Sequence, residues 1–329
     1  MTQIMQQPIA APGPVPADPS MAVSIRGLYR RYDDKVAVNG LSLDIPTGSF
    51  YGLVGPNGAG KTTTINMMTG MLKPDAGMVL VLGKDVWHDV NAVKREIGLM
   101  PQPDQIFDRL TGRQLLVYSG MLRSMPRAEA LERSNDLMHA FDLLDAADKP
   151  VFDYSAGMTK KICLATAMIH SPRVLVLDEP FEAVDPVSSS NIRDILSAYV
   201  STGGTVIISS HVMSMVERMC THVAVINKGQ VVAAGTVDQV AGGEDLDERF
   251  LQLAAAMTPC ISTGSMEVCM RLTRPSPCHR MTIRTVVRHE CDADTSDGSA
   301  ERRAGHSDES RCRRRATQHC HDNGAVALV

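Results

Sequence analysis

Short apolar runs recur along this chain, and the segments between them repeat apolar residues every three or four positions. The runs have the length of buried strands and lie at 50–54, 174–177, 205–209 and 223–226. Helical spacing occurs between them, where Leu137, Phe141 and Leu144 fall at i, i+4 and i+7. Buried strands that alternate with helices predict an α/β fold with a largely parallel sheet.

The region before residue 50 follows a different pattern. Residues 36–38 and 41–45 are strand-like, and Asn39-Gly40 between them is a common hairpin-turn sequence. Neighbouring strands joined by a tight turn pair in an antiparallel way. The pattern therefore predicts an antiparallel β subdomain ahead of the parallel sheet, with a turn at Asn39.

Residues 104–170 have mostly helical spacing, which predicts an inserted α-helical subdomain. Thr111 and Gln114 form a capping-box signature near its start. Ser155 precedes another helical pattern and is a natural N-cap. A serine hydroxyl and the free N–H groups of a helix start can bind an anion, although an ordinary helix cap has the same sequence.

The most specific motif lies between the first apolar run and a predicted helix at 63–72. Its residues are Gly55, Pro56, Asn57, Gly58, Ala59, Gly60, Lys61 and Thr62. Glycines let backbone N–H groups close around phosphate oxygens, the lysine reaches the outer phosphates, and the threonine hydroxyl binds magnesium. This spacing predicts a nucleoside triphosphate site; the alternative is a glycine-rich surface turn.

Two carboxylates, Asp178 and Glu179, follow the apolar run at 174–177. Asp178 is predicted to hold magnesium, and Glu179 to orient or deprotonate the water that attacks the terminal phosphate. An exposed acidic pair is the alternative reading. His211 follows the run at 205–209, and such a histidine can also be a packed or solvent-facing residue.

Composition narrows the class of protein. The formal net charge of -4 argues against a general nucleic-acid binder. No apolar stretch approaches the roughly 20 residues that span a bilayer, and the start of the chain lacks a secretion-signal pattern. We therefore expect a cytoplasmic protein. Cys163 and Cys220 lie within apolar patterns and are predicted to be small core residues rather than a disulfide or metal site.

The order of these motifs resembles the nucleotide-binding subunit of ABC transporters, over about residues 23–253. Residues 55–63 are similar to the Walker A loop, and 174–179 to Walker B. Residues 154–158 resemble the signature sequence of the family. His211 falls at the position of the switch histidine.

Three further positions match the family. Gln102 is similar to the Q-loop glutamine, Asp185 to the D-loop aspartate, and Tyr32 to the aromatic residue that stacks on adenine. Each residue also has a simpler reading. Gln102 can be a polar loop residue, Asp185 a turn-capping aspartate, and Tyr32 a half-buried strand aromatic.

The signature departs from the common Leu-Ser-Gly-Gly-Gln, because Tyr154, Ala156 and Met158 replace its first, third and fifth residues. An alanine is tolerable there if its backbone is helical. The change puts the rate of ATP hydrolysis in question more than ATP binding. Together with residues 107–112 and 179–182, the variant resembles ATPases of drug, polysaccharide or lipid exporters, which favours export.

The resemblance implies a homodimer, or a pair of related subunits, that encloses two ATP molecules with Mg²⁺. It implies catalytic roles for Lys61, Gln102, Glu179 and His211, and magnesium contacts for Thr62, Gln102 and Asp178. The implied ATP contacts are Tyr32, Gly55, Pro56, Asn57, Gly58, Ala59, Gly60, Lys61, Thr62, Thr63, Ser155, Gly157 and Asp185. The remaining implied partner is an integral-membrane permease on a separate chain, at the cytoplasmic face of the cell membrane, with no nucleic acid.

Two other functions stay open. One is a soluble ABC ATPase in translation or DNA maintenance; such relatives usually fuse two nucleotide-binding units or insert long coiled coils, and neither pattern is visible. The other is a regulatory nucleotide-binding subunit with weak turnover. The altered signature permits this, but the presence of Glu179 and His211 argues against it.

We expect the nucleotide-binding domain to cover 23–256. Residues 1–22, rich in proline, alanine and glutamine, are expected to be a disordered leader. Residues 257–329 contain arginine, cysteine and histidine but no lysine, which favours a disordered or frameshifted extension. A zinc module is the alternative, but no cysteine pair there has two-to-four-residue spacing. A basic arm that contacts anionic lipid is the third reading.

Overall fold

The computed structural model describes residues 18–256 and confirms the predicted alternation of strands and helices. The strands are β1 Met21–Tyr32, β2 Lys35–Pro46, β3 Phe50–Val54, β4 Ala76–Val81, β5 Lys84–Asp85, β6 Ile97–Leu99, β7 Val174–Leu177, β8 Thr205–Ser210, β9 His222–Asn227 and β10 Gln230–Thr236. The helices are α1 Lys61–Met68, α2 Val90–Glu96, α3 Gly112–Leu122, α4 Arg127–Ala140, α5 Ala156–Met168, α6 Pro186–Ser201, α7 Met213–Met219, α8 Val237–Ala241 and α9 Leu246–Ala256.

The larger sheet has the strand order β10-β9-β3-β8-β7-β6. All neighbours from β9 to β6 are parallel, and only β10 pairs in an antiparallel way. Every residue of β3, β7 and β8 is buried. Both faces are covered, since Leu175 and Leu177 pack among the helices whereas Val174 and Val176 pack toward the smaller sheet and α1. The predicted parallel core is confirmed.

The carboxyl ends of three adjacent parallel strands carry predicted site residues. The phosphate loop follows β3, the pair Asp178 and Glu179 follows β7, and His211 follows β8. The register aligns Val54, the last residue of β3, with Ser210, the last residue of β8. Segments that leave neighbouring parallel strands at one edge converge there, as is usual for ligand sites in α/β sheets.

The smaller sheet has the order β2-β1-β4-β5 and is antiparallel, as predicted. The predicted turn is wrong, however, because β2 runs unbroken through Asn39 and Gly40. The chain reverses instead at Asp33 and Asp34, and Asp33 adopts a φ of 46°. Gly40, with a φ of 67°, lies where the pairing of β1 with β2 shifts. A left-handed glycine suits a β-bulge as well as a turn, so local sequence alone did not separate the two.

Two predicted boundaries are displaced by two residues. The leader was expected to extend to residue 22, but β1 begins at Met21, and Ala22 is fully buried in its core. Helix α1 was expected at 63–72; it begins two residues earlier, at Lys61, directly after the left-handed Gly60, and it ends at Met68. The expectations for residues 1–17 and 257–329, including the extension and its zinc alternative, lie outside the described residues.

The predicted helical region contains α3, α4 and α5, with residues 123–126 joining α3 to α4 and residues 141–155 joining α4 to α5. The capping box is confirmed, since the Thr111 side chain accepts from the backbone of Gln114 and the Gln114 side chain accepts from that of Thr111. Cys163 and Cys220 are buried in the core, and burial raises the pKa of each thiol to about 12. Within 18–256, no helix is both long and apolar enough to cross a membrane.

Candidate functional site

The phosphate loop has a backbone that only glycine can adopt at two of its positions. Gly55 has a φ of 156°, and a Cβ there would lie 2.1 Å from the carbonyl oxygen of Ile226. Gly60 has a φ of 107°, and its Cβ would lie 2.5 Å from the carbonyl oxygen of Ala37. The loop is therefore pressed against strands of both sheets, so a side chain at either glycine would displace it.

Lys61 is held at the centre of this loop. It is the first residue of α1, and only 6% of its surface is exposed. Its Nζ donates to the carbonyl oxygens of Gly55 at 2.8 Å and Pro56 at 3.4 Å, and it lies 3.8 Å from Oε1 of Glu179. The carbonyl oxygens of the loop thus hold the Lys61 ammonium group at the N-terminus of α1. A helix N-terminus favours a bound negative charge, such as a phosphate.

Thr62 and Asp178 meet beside the lysine. The Thr62 hydroxyl donates to Oδ2 of Asp178 at 2.9 Å, and the Ser209 hydroxyl donates to the other carboxylate oxygen. The sequence reasoning missed Ser209. The available signal was a serine at the end of an otherwise apolar strand, where a fully buried hydroxyl must find a partner.

Glu179 leaves β7 in the left-handed region, with a φ of 47°. Successive side chains of an extended strand point to opposite faces, so a continued strand would separate the two carboxylates. Strand β7 ends at Leu177, the backbone turns into the left-handed region at Glu179, and both carboxylates contact residues of the phosphate loop. Such a backbone costs roughly 1–2 kcal/mol for a non-glycine residue, which surrounding contacts must offset.

Contacts hold Glu179 at both its side chain and its backbone. Its Oε2 lies 3.1 Å from Nδ1 of His211, and its backbone N–H donates to the Ser209 hydroxyl at 2.9 Å. His211 is the first residue after β8, and 43% of its side chain is exposed. The histidine is therefore paired with the carboxylate instead of packed in the core.

A cavity of about 300 Å³ adjoins the phosphate loop. The predicted loop residues Asn57, Gly58, Gly60, Lys61, Thr62 and Thr63 line it. Tyr32, at the end of β1, lines the same cavity with 44% of its surface exposed, and the Arg30 guanidinium lies 5.1 Å from its ring centroid. Of the three predicted loop residues that do not line the cavity, Gly55, Pro56 and Ala59, the last two are hydrogen-bonded to each other through their backbones at 3.1 Å.

The signature residues form a second group at the start of α5. Ser155 is confirmed as the N-cap and accepts from the Met158 backbone at 3.3 Å. Ala156 is the first helical residue and is not among the residues with positive φ, so the methyl group adds no backbone strain. Tyr154, which replaces leucine, donates through its hydroxyl to the Ala146 carbonyl oxygen at 2.7 Å.

Asp185 belongs to the same group as the signature. It caps α6 by accepting from the Ser188 backbone at 2.9 Å, and hydrogen bonds from Ser188 lower the pKa of its carboxyl group. A Cβ on Gly157 would lie 2.7 Å from both Asp185 Oδ2 and Ser188 Oγ. The signature and the start of α6 therefore approach closely at Gly157, and a side chain there would displace the side chains of Asp185 and Ser188.

Gln102 follows β6, the edge strand that pairs with β7. Gln102 is half-buried, and because it follows the strand next to β7, its segment leaves the sheet at the same edge as Asp178. No hydrogen bond joins Gln102 to Asp178 or Glu179 in the part of the chain that is described. The structure thus brings Lys61, Thr62, Asp178, Glu179 and His211 into direct contact, with Tyr32 beside them.

Residues 38–182 match the family model described as ABC transporter. A daunorubicin resistance ATP-binding protein of Streptomyces coeruleorubidus is 36% identical over 249 residues, covering 74% of this chain and 79% of that protein. This chain belongs to the ABC transporter ATP-binding family. A Nod factor export ATP-binding protein of Burkholderia lata is 36% identical over 217 residues, covering 66% of this ABC ATPase and 71% of the relative.

The fold of the ABC ATPase also matches solved structures. An ATP-binding subunit of an ABC transporter aligns with a TM-score of 0.66 at 24% identity, covering 71% of this chain and 99% of the other. Family membership establishes that the chain is an ATP-binding subunit of the ABC transporter class and an ATPase. The predicted family, fold class and enzyme class are confirmed.

Proposed function

We propose that this ABC ATPase powers export through a membrane permease on a separate chain, with ATP bound between two paired subunits. The observation that carries the proposal is the contact chain from Lys61 through Glu179 to His211, with Thr62 and Asp178 beside it. A cation, a proton acceptor and a pair of metal-binding oxygens then stand beside one phosphate loop. Transfer of a phosphoryl group to water needs this set of groups.

In this proposal the phosphate loop and Tyr32 hold ATP at its two ends. Loop N–H groups and the start of α1 bind phosphate oxygens, and the ammonium of Lys61 neutralises charge on the outer phosphates. Tyr32 stacks on adenine, and its exposure supports this because a ring face must be open for stacking. Contact with the Arg30 guanidinium restrains the ring.

The residues beside the loop fit Mg²⁺. The Thr62 hydroxyl and the Asp178 carboxylate already meet at 2.9 Å, and Gln102 follows β6, which pairs with the strand before Asp178. All three are hard oxygen donors, which magnesium prefers. When bound, the metal would neutralise negative charge on the β- and γ-phosphates.

Glu179 and His211 are proposed to act on the attacking water. The Glu179 carboxylate accepts a proton or hydrogen bond from the water, which aligns the water with the terminal phosphorus. His211, hydrogen-bonded to the same carboxylate, keeps it oriented and faces solvent on its other side. Seven other non-glycine residues in the described chain share the left-handed backbone of Glu179, so the support for this role comes from the contacts of its carboxylate with Lys61 and His211.

Ser155, Gly157 and Asp185 are proposed to meet the ATP bound by the second subunit. Ser155 is exposed and caps the start of the 13-residue helix α5. Such a helix start can bind the terminal phosphate across an interface, so ATP joins the subunits and its hydrolysis separates them. The pair can be a homodimer or two related chains.

Export is proposed because daunorubicin resistance and Nod factor export appear in the names of the relatives. The permease is proposed as a separate chain at the membrane, with this subunit on its cytoplasmic face. Nucleic acid is not a proposed partner. The membrane partner can be tested without knowing the substrate.

Purification from detergent-solubilised membranes of the source organism tests whether the chain binds a membrane permease. We expect the tagged full chain to bring down a multispan membrane protein in a fixed ratio. The matched control is the Lys84→Ala variant, which alters only a surface ion pair with Glu96 and should capture the same protein. Recovery of ribosomes or DNA instead would support the alternative of a soluble ABC ATPase and contradict the transport proposal.

Tyr32→Ala should weaken ATP binding about tenfold, because stacking on a base contributes roughly 1–3 kcal/mol. Tyr32→Phe keeps the ring and should bind ATP nearly as well as the unchanged chain. Titration calorimetry with Mg-ATP measures both variants. Equal affinities for the alanine and phenylalanine variants would exclude Tyr32 as the adenine platform.

A further inference from the structure

Lys160 reaches the backbone of Glu179 from the helix that Ser155 caps. It lies in α5, and only 8% of its surface is exposed. Its Nζ donates to the carbonyl oxygen of Glu179 at 3.2 Å. Lys160 lies outside the phosphate loop, and the resemblance to ABC transporter subunits implies no role for it.

The contact falls on the residue with the left-handed backbone. The Glu179 carbonyl also accepts from the backbone N–H of Glu182 at 3.3 Å, and the Glu179 N–H donates to Ser209 at 2.9 Å. Both peptide groups of Glu179 are therefore restrained. Lys160 supplies a side-chain donor from another element, so the conformation of Glu179 depends on where α5 sits.

The chemistry of the contact argues against simple charge neutralisation. A buried ammonium group loses hydration and normally recovers it from a carboxylate or several oxygen acceptors. The acceptor of Lys160 is a neutral carbonyl, and that carbonyl belongs to the residue proposed to act on water. Any buried lysine needs an acceptor, so it is the identity of this acceptor, the Glu179 carbonyl, that points to a role.

We propose that Lys160 is a positioning residue for Glu179, linking the helix start that meets one ATP to the carboxylate that acts on the other. The inference rests on the proposed roles of Glu179 and Ser155. When α5 shifts as Ser155 binds or releases a phosphate, Lys160 moves the main chain of Glu179. The carboxylate is then aligned for hydrolysis only when α5 is in its bound position.

Lys160→Met tests the proposal, with Lys161→Met as the matched control. Lys161 is the next residue of α5 and is equally buried at 8% exposure, but it makes no hydrogen bond to Glu179 in the described chain. We expect Lys160→Met to lower kcat for ATP hydrolysis about tenfold or more while the Kd for Mg-ATP changes less than about twofold. Lys161→Met should keep kcat within about twofold of the unchanged chain.

Two further measurements separate positioning from general stability. In a Glu179→Gln background, Lys160→Met should cause no additional loss of turnover, because the group that it positions is already removed. Lys160→Arg keeps a long side chain with N–H donors and should recover part of kcat. Should Lys160→Met fail to fold in a thermal melt, Lys160→Gln takes its place, since its side chain is polar but shorter.

Full turnover in Lys160→Met, or equal losses in the Lys160 and Lys161 variants, would overturn the proposal. So would an additive loss in the Glu179→Gln background. The Glu179→Gln single variant distinguishes a failure of the proposed role of Glu179 from a failure of the positioning role of Lys160. If it retains turnover, the proposed role of Glu179 fails; if it loses turnover and Lys160→Met does not, only the positioning role is rejected.

Discussion

Replacing Glu179 by glutamine is expected to lower ATP turnover about a hundredfold or more while ATP binding is retained. Glutamine keeps the size of the side chain and can still hydrogen-bond to His211, but it cannot accept a proton from water. Contacts of Lys61 with Gly55 and Pro56 remain, so the phosphate loop should keep its shape. Phosphate release at saturating Mg-ATP measures kcat, and calorimetry measures Kd.

The same variant should accumulate ATP-bound dimers, because hydrolysis is the step that separates the subunits in the proposed cycle. Size-exclusion chromatography with ATP gives this second readout. Glu182→Gln is the matched control: Glu182 is an exposed carboxylate three residues further on, and only its backbone contacts Glu179. Turnover by Glu179→Gln that equals turnover by Glu182→Gln would remove Glu179 from the chemistry.

Lys61→Ala should weaken Mg-ATP binding roughly tenfold to a hundredfold, the range expected for loss of hydrogen bonds that involve a charged group. The ammonium is held by the Gly55 and Pro56 carbonyl oxygens at the start of α1, so it is already in place to meet phosphate. Alanine removes the charge and leaves the loop glycines unchanged. Titration calorimetry with Mg-ATP measures the effect directly.

Lys84→Ala is the control for loss of a lysine. Lys84 forms a partly exposed ion pair with Glu96, far along the chain from the phosphate loop, and such pairs contribute little. Melting temperatures of both variants show whether Lys61→Ala remains folded. A folded Lys61→Ala variant with the Kd of the Lys84 variant would contradict the assignment of the loop as the phosphate site.

The elements that the sequence predicted well are those whose signal is local. Residues 50–54 and 174–177 are apolar throughout because both faces of the parallel sheet are covered, and both are strands of that sheet. The capping box at Thr111 and the N-cap at Ser155 were also predicted, since a cap depends on residues within one helical turn. The Asn39 turn was wrong because a left-handed glycine serves a bulge equally well.

The contacts that the sequence did not predict join residues far apart along the chain. Ser209 binds Asp178 across 31 residues, and Lys160 reaches Glu179 across 19. The apolar strand around Ser209 indicates that its hydroxyl needs a partner, but no local pattern says which residue that partner is, and the same holds for Lys160. The pairing of β7 with β8 creates the first contact, and the packing of α5 beside the end of β7 creates the second.

By itself, the sequence determined the phosphate-binding loop, the parallel sheet and the family of this ATPase, because backbone conformation and burial leave patterns within a few neighbouring residues. Only the tertiary structure decided that Glu179 adopts a left-handed backbone between Lys61, His211 and Lys160. That conformation is unfavourable for an isolated glutamate. It persists because groups from separate elements meet there, and their meeting depends on the packing of the whole domain.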